Sequence, residues 1–242
     1  MGVQTILGTE DVTSWHEIMR SLLAEFFGTF FLVFIGCGSC IAIGPVPSIV
    51  QIALCFGFVI ATAVQCFGHV SGCHINPAVT LGLFTCGRCG LLKCVAYIPT
   101  QCAGAVAGAG LLMYVLPENQ DTWGVTKVAE LLTANQGFAI EAVITGLLIL
   151  VVCAVTDPNR LDLSNAAPVA VGLTIAACHL FAVPYTGSSM NPARSLGPAA
   201  VQAFWENHWV YWIGPLVGGG VAGLLYRFLF KAQKDEENSY DL

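Results

Sequence analysis

The chain has 242 residues, of which 56% are hydrophobic and only 10% charged, with a mean hydropathy of +0.74. A soluble domain carries about 25% charged residues, so bulk water is not this protein's only solvent. The net charge of −6 comes largely from two tails and one loop and argues against nucleic acid as a partner.

The first twenty residues are polar and slightly acidic, and no cleavable signal sequence is apparent in them. Beyond them, six apolar runs reach the roughly 17–25 residues that cross a bilayer: Leu22–Ile43, Ile49–Phe67, Cys94–Leu116, Phe138–Val155, Ala166–Pro184 and Trp209–Phe230. All six are expected to be helices, because a spanning segment has to satisfy its own backbone. Gly and Ala repeats in the third and sixth runs suit close helix packing. An even number of spans puts both ends on one side. Arg20, Arg88, Lys93, Arg160, Arg227, Lys231 and Lys234 fall in the tails or in the second and fourth loops. Only Lys127 lies in the third loop, beside Glu118, Asp121 and Glu130. The positive-inside rule therefore expects cytoplasmic tails, 1–19 and 232–242.

Most of the 11 cysteines sit inside apolar runs and read as small hydrophobes. Cys86 and Cys89, with Cys94 nearby, resemble a metal or redox motif but lack a second pair or a histidine at ligand spacing. Neither a metal nor a cofactor is expected, and no Ser/His/Asp constellation or nucleotide motif suggests an enzyme.

Two short stretches organise the rest. Asn76-Pro77-Ala78 follows the second run and Asn191-Pro192-Ala193 the fifth, each with Gly four residues upstream. Asn is a preferred N-cap, and Pro suits the next position because its missing N–H would be orphaned there anyway. Each box opens an apolar stretch of about ten residues, too short to cross. The offset of 115 that joins Asn76 to Asn191 also joins Gly57 to Gly172, Gly82 to Gly197 and Tyr97-Ile98 to Trp212-Ile213. Glu25 and Thr29 match Glu141 and Thr145 at an offset of 116. The chain is thus one domain written twice, about 20–130 and 136–230, as inverted repeats. Its fold class is an all-α membrane protein of six transmembrane helices plus two re-entrant half-helices. Facing half-helix N-termini near mid-membrane imply a pore or a binding site, since irregular backbone at that depth must line a wet cavity or be buried. Each Asn amide NH₂ is then expected to point forward, backed by a positive helix end.

The paired boxes, the six spans and Asn191-Pro192-Ala193-Arg194-Ser195 resemble the aquaporin (major intrinsic protein) family across almost the whole chain. Residues 68–80 and the Asn238-Ser239-Tyr240-Asp241 tail most resemble the insect Drip-type water channels. The resemblance implies a passive, water-selective channel of the plasma membrane that excludes protons and ions. Its permeant is water, it needs no cofactor, and it forms homotetramers with a pore in each subunit. It implies a filter of Phe56, His179, Ser188 and Arg194, with His179 and Arg194 as donors. Glycerol-conducting relatives generally replace that histidine and carry Asp after the arginine, whereas here His179 and Ser195 stand. Two other readings are a channel that also passes urea, ammonia or hydrogen peroxide, and a junctional protein on the same fold.

Intramembrane carboxylates are functional candidates by default, and proton relay is one role for Glu25 and Glu141. Their presence in both halves favours another: each accepts N–H groups from its own re-entrant loop, around His74 and around Ser189. His69, His74 and Cys73 are pore-lining candidates, Cys73 because it precedes Asn76 by three residues as Ser188 precedes Asn191.

Overall fold

The computed structural model describes residues 6–8, 14–118, 122–160 and 166–233. Asp121, Ser164, Lys234, Ser239 and the acidic tail from Asp235 lie outside them. Among the described residues, six helices are long and apolar enough to span a membrane. In chain order they are α1 (Trp15–Cys37), α2 (Ile49–Ser71), α4 (Leu91–Val115), α5 (Ala134–Val155), α6 (Ala167–Thr186) and α8 (Val210–Phe230). The short helices α3 (Pro77–Cys86) and α7 (Pro192–Gln202) follow α2 and α6.

The first helix starts seven residues before the apolar run that announces it. Ser14 caps it, its hydroxyl accepting from Glu17 N at 3.2 Å. The polar opening turns carry His16, Glu17 and Arg20 beyond the apolar stretch, where hydropathy gives no signal. It also ends at Cys37 rather than Ile43, in a π-helical last stretch, Leu32–Cys37. The helices α2 and α6 close on glycines in the left-handed region, Gly72 at φ +88° and Gly187 at φ +78°. There a Cβ would clash with the backbone, so glycine sets where each span stops.

The two halves interlock through glycine contacts. A Cβ on Gly57 of α2 would lie 2.7 Å from the Gly172 carbonyl of α6, and the reverse holds at the same distance. On α4, Gly104 and Gly108 lie against the carbonyls of Phe26 and Phe30 of α1; on α8, Gly214 and Gly218 lie against those of Phe138 and Ala142 of α5. These are the small-residue seams that helices use where lipid offers no hydrophobic drive to associate. The half-helices exchange partners: α3 packs on Gly219 and Gly223 of α8, and Gly197 of α7 on Ala105 of α4. Apolar side chains such as Phe58, Val143 and Leu173 are left facing outward, as expected of a surface solvated by lipid tails.

Candidate functional site

Asn76 and Asn191 are both extended at the start of their half-helices, with φ −161° and −152°. The Asn76 side-chain oxygen accepts from Ala78 N at 2.8 Å. The Asn191 oxygen accepts from Ala193 N at 3.0 Å and Arg194 N at 3.3 Å. The amide nitrogens reach across the midline. Asn76 Nδ2 donates to the Met190 carbonyl at 2.8 Å, and Asn191 Nδ2 to the Ile75 carbonyl at 2.9 Å. An amide NH₂ has two hydrogens, so one of each pair is held by the opposite loop and one is left for the lumen.

The loops ahead of the boxes hold four non-glycine residues at positive φ, in two matched pairs: Cys73 (48°) with Ser188 (51°), and Ile75 (45°) with Met190 (55°). Such conformations cost about 1–3 kcal/mol each and persist only when their surroundings over-determine them. The buried carboxylates supply that constraint. Glu25 accepts from His74 N at 2.9 Å, Ile75 N at 2.6 Å, Ser71 Oγ at 2.6 Å and Gln101 Nε2 at 2.8 Å. Glu141 accepts from Ser189 N at 2.9 Å, Met190 N at 2.8 Å and Thr186 Oγ1 at 2.6 Å. A fully buried carboxylate is tolerable only with this many donors. Behind each loop a tyrosine hydroxyl donates to the last carbonyl of the preceding span, Tyr97 to Ser71 at 3.0 Å and Tyr211 to Thr186 at 2.9 Å. The structural counterpart of Tyr97 is therefore Tyr211, one residue off the constant offset that pairs it with Trp212.

A cavity of about 370 Å³ runs through this region, bordered by Asn76, Cys73 and His74 and reaching Arg88 and Lys93. Phe56, His179 and Arg194 border the same cavity. The Phe56 ring stacks on His179 with centroids 4.5 Å apart, and the Arg194 guanidinium carbon lies 5.0 Å from the centre of the same ring. Arg194 Nη1 donates to the Gly124 carbonyl at 2.6 Å, which gives the one basic side chain of the short helices a fixed direction. Its Nε has no partner. His179 Nδ1 lies 3.0 Å from the Ile175 carbonyl. A carbonyl only accepts, so Nδ1 carries the proton and Nε2, which has no protein partner, presents a lone pair. His179 is therefore an acceptor here, not the donor expected from the sequence. Ser188 is fully buried, its hydroxyl has no partner, and it is not among the residues that border the cavity. His74 Nδ1 sits 3.1 Å from the Thr80 hydroxyl, beneath the edge of Tyr97.

The sequence model described as Major intrinsic protein matches residues 11–226. This chain belongs to the major intrinsic protein family. It is 46% identical to human aquaporin-4 over 217 residues, covering 87% of this chain and 67% of that one. It is 40% identical to aquaporin FA-CHIP of Pelophylax lessonae over 224 residues, covering 87% of this chain and 82% of that one. To the human lens fiber major intrinsic protein it is 41% identical over 212 residues, covering 87% and 81%. Its fold matches the aquaglyceroporin of Plasmodium falciparum with a TM-score of 0.79, covering 88% of this chain and 96% of that one. At 24% identity that likeness speaks to fold alone. As a member of the major intrinsic protein family, the chain is a multi-pass membrane channel rather than an enzyme.

Several supporting residues escape sequence reasoning. Gln101 reaches both Glu25 and the Thr80 hydroxyl, the latter at 3.0 Å; a lone Gln in a Gly/Ala-rich span was its only signal. Gly124 acts through a main-chain oxygen, which leaves no mark in side-chain pattern. The hydroxyls of Thr126, Ser195 and Ser189 form a chain, with oxygens 2.8 Å and 2.6 Å apart. Its members are 69 and 6 residues apart, too scattered to read as a motif.

Proposed function

We propose that this water channel moves water in single file past the two asparagines and the Phe56–His179–Arg194 constriction, under osmotic gradients and with no cofactor. The carrying observation is the reciprocal amide–carbonyl pair, which holds both asparagines rigid and leaves each one N–H for a permeating oxygen. A water that accepts from both turns its hydrogens away along the file. It cannot then take a proton from its neighbour, and the two positive helix ends oppose cations.

The constriction adds selectivity. Arg194 offers N–H groups and His179 Nε2 a lone pair on opposite chemical terms, so one water can accept from the first and donate to the second. Phe56 closes the side between them. A three-carbon polyol is too wide for that aperture, and Ser195 in place of Asp fits the water-selective branch. The loop residues 68–80 support the closer resemblance to insect Drip-type channels. Basic residues flanking the spans support cytoplasmic termini, and the family resemblance supports a homotetramer in the plasma membrane.

Stopped-flow shrinkage of proteoliposomes tests the reading. Water efflux is expected far above that of bare lipid, with glycerol and urea at the bare-lipid rate and no current under a voltage. Water efflux no faster than bare lipid, or a current that follows the protein, overturns it.

A further inference from the structure

A second cavity, of about 510 Å³, opens on the flank of the bundle between the first turns of α1, the last turn of α2 and the start of α4. Nothing in the water path uses it. Its wall is mixed in a particular way. Arg20 from α1 and Lys93 from α4 contribute cations, and His69 from α2 stands beside them. Ile18, Leu22 and Ala96 supply apolar surface. Neither Arg20 nor Lys93 makes a hydrogen bond or ion pair among the described residues.

The start of α4 adds to the positive field. Gly90 is its N-cap and offers no side-chain acceptor to the first-turn N–H groups, so the helix's positive end is uncompensated. One carboxylate, Glu17, also borders the cavity. It lies in the first turn of α1, where a negative charge suits that helix end. Outside the cavity Trp15 is 76% exposed, and Leu92 on its wall is 44% exposed, the amphipathic and apolar surface expected where helices leave the hydrocarbon.

We propose that this cavity holds the phosphate headgroup of an anionic membrane lipid, gripped by Arg20 and Lys93, with an acyl chain leaving past Leu22 and Leu92. Charge complementarity selects an anion, and basic pockets between spans at the membrane edge are suited to lipid phosphate. The apolar half of the wall selects a lipid over a soluble anion, for which it would be wasted surface. Lys93, His69 and Val70 border both this cavity and the central one. A bound phosphate would thus hold the Lys93 ammonium on the lipid side of that shared wall.

Native mass spectrometry of the purified full-length protein, titrated with phosphatidylglycerol and with phosphatidylcholine of the same chains, tests the assignment. The wild type is expected to prefer phosphatidylglycerol. Arg20→Gln with Lys93→Gln should weaken that lipid roughly 30-fold, at about 1 kcal/mol per cation near the surface. Arg20→Lys with Lys93→Arg should keep it, and Glu17→Gln should strengthen it. Removing two other cations at the same end, by Arg227→Gln with Lys231→Gln, should leave it unchanged. No preference in the wild type overturns the proposal, whatever the variants do. So does an equal loss in the Arg227/Lys231 pair, which would mean diffuse attraction. Displacement of the lipid by millimolar inorganic phosphate would instead assign a soluble-anion site. A changed oligomeric state in the Arg20/Lys93 pair with unaltered lipid preference would mean that a neighbouring copy covers the cavity.

Discussion

Gly57 and Gly172 meet with no side chain between them, each Cα standing where a Cβ would fall 2.7 Å from the other's carbonyl oxygen. They are 115 residues apart, the offset that also separates the two asparagines, so the contact marks the seam between the repeats. Gly57→Val should lower the melting temperature of the solubilised protein, with overpacking costing about 1–3 kcal/mol. Gly172→Val should cost a similar amount, and the pair together less than the sum, because one separation of α2 from α6 relieves both. Strict additivity in the melting data would count against a shared seam.

Glu141→Gln tests the carboxylate cradle. The carboxylate faces three donors, whereas an amide turns an NH₂ toward at least one of the Ser189 and Met190 N–H groups. A loss of about 3 kcal/mol in stability is expected, from one charge-assisted hydrogen bond and one stranded donor. Water permeability per folded channel should fall with it, as the Met190 carbonyl that holds Asn76 loses its support. Unchanged permeability in liposomes with matched protein content would separate the cradle from the water path.

The constriction should be separable from the boxes. His179→Gly with Arg194→Val removes the ring that stacks on Phe56 and the cation above it. Glycerol uptake in swelling assays is then expected to rise well above the bare-lipid rate while water flow persists. Glycerol exclusion retained in that variant would place selectivity elsewhere.

Cys73 is the one cysteine among the residues bordering the central cavity. Mercurials should therefore block water flow through it, slowly because its side chain is buried, and Cys73→Ser should remove the block. Full mercury sensitivity in Cys73→Ser channels would move the effect to another of the free thiols.

His208 gives a pH dependence outside the spans. Burial holds its pKa below the usual histidine value, and its Nε2 accepts from the Trp212 indole N–H at 3.2 Å, which a protonated ring cannot do. The unfolded chain then binds the proton more readily than the folded one. The stability this supplies is complete above about pH 6.5, the unperturbed value, and is lost as pH falls through the lower folded value. The melting temperature of the wild type should drop more steeply with acid than that of His208→Gln. Parallel curves would show that His208 has no part in it.

What the sequence reveals and hides divides along a physical line. Spans of uniform hydropathy, glycine seams and proline-started helices are local in sequence, and all were legible. The start of α1 was not, because its capped, charged turns carry no apolar signal. Partners that act through main-chain oxygens, such as Gly124 for Arg194 and Ile175 for His179, are silent in side-chain identity. The role of His179 was misread for that reason: the residue type admits donor or acceptor, and only the carbonyl beside Nδ1 decides.

The two carboxylate cradles and the two asparagine bonds differ in where they close. Glu25 and Glu141 each bind the loop of their own repeat, but Asn76 and Asn191 are each completed by a carbonyl from the other. A peptide of half this length carries the carboxylate for its own loop, yet it would seat its half-helix and finish the aperture only against an upside-down twin. Fusing the two into one polypeptide fixes their opposed orientation for good and frees each to diverge, as the unlike surroundings of Glu25 and Glu141 already record.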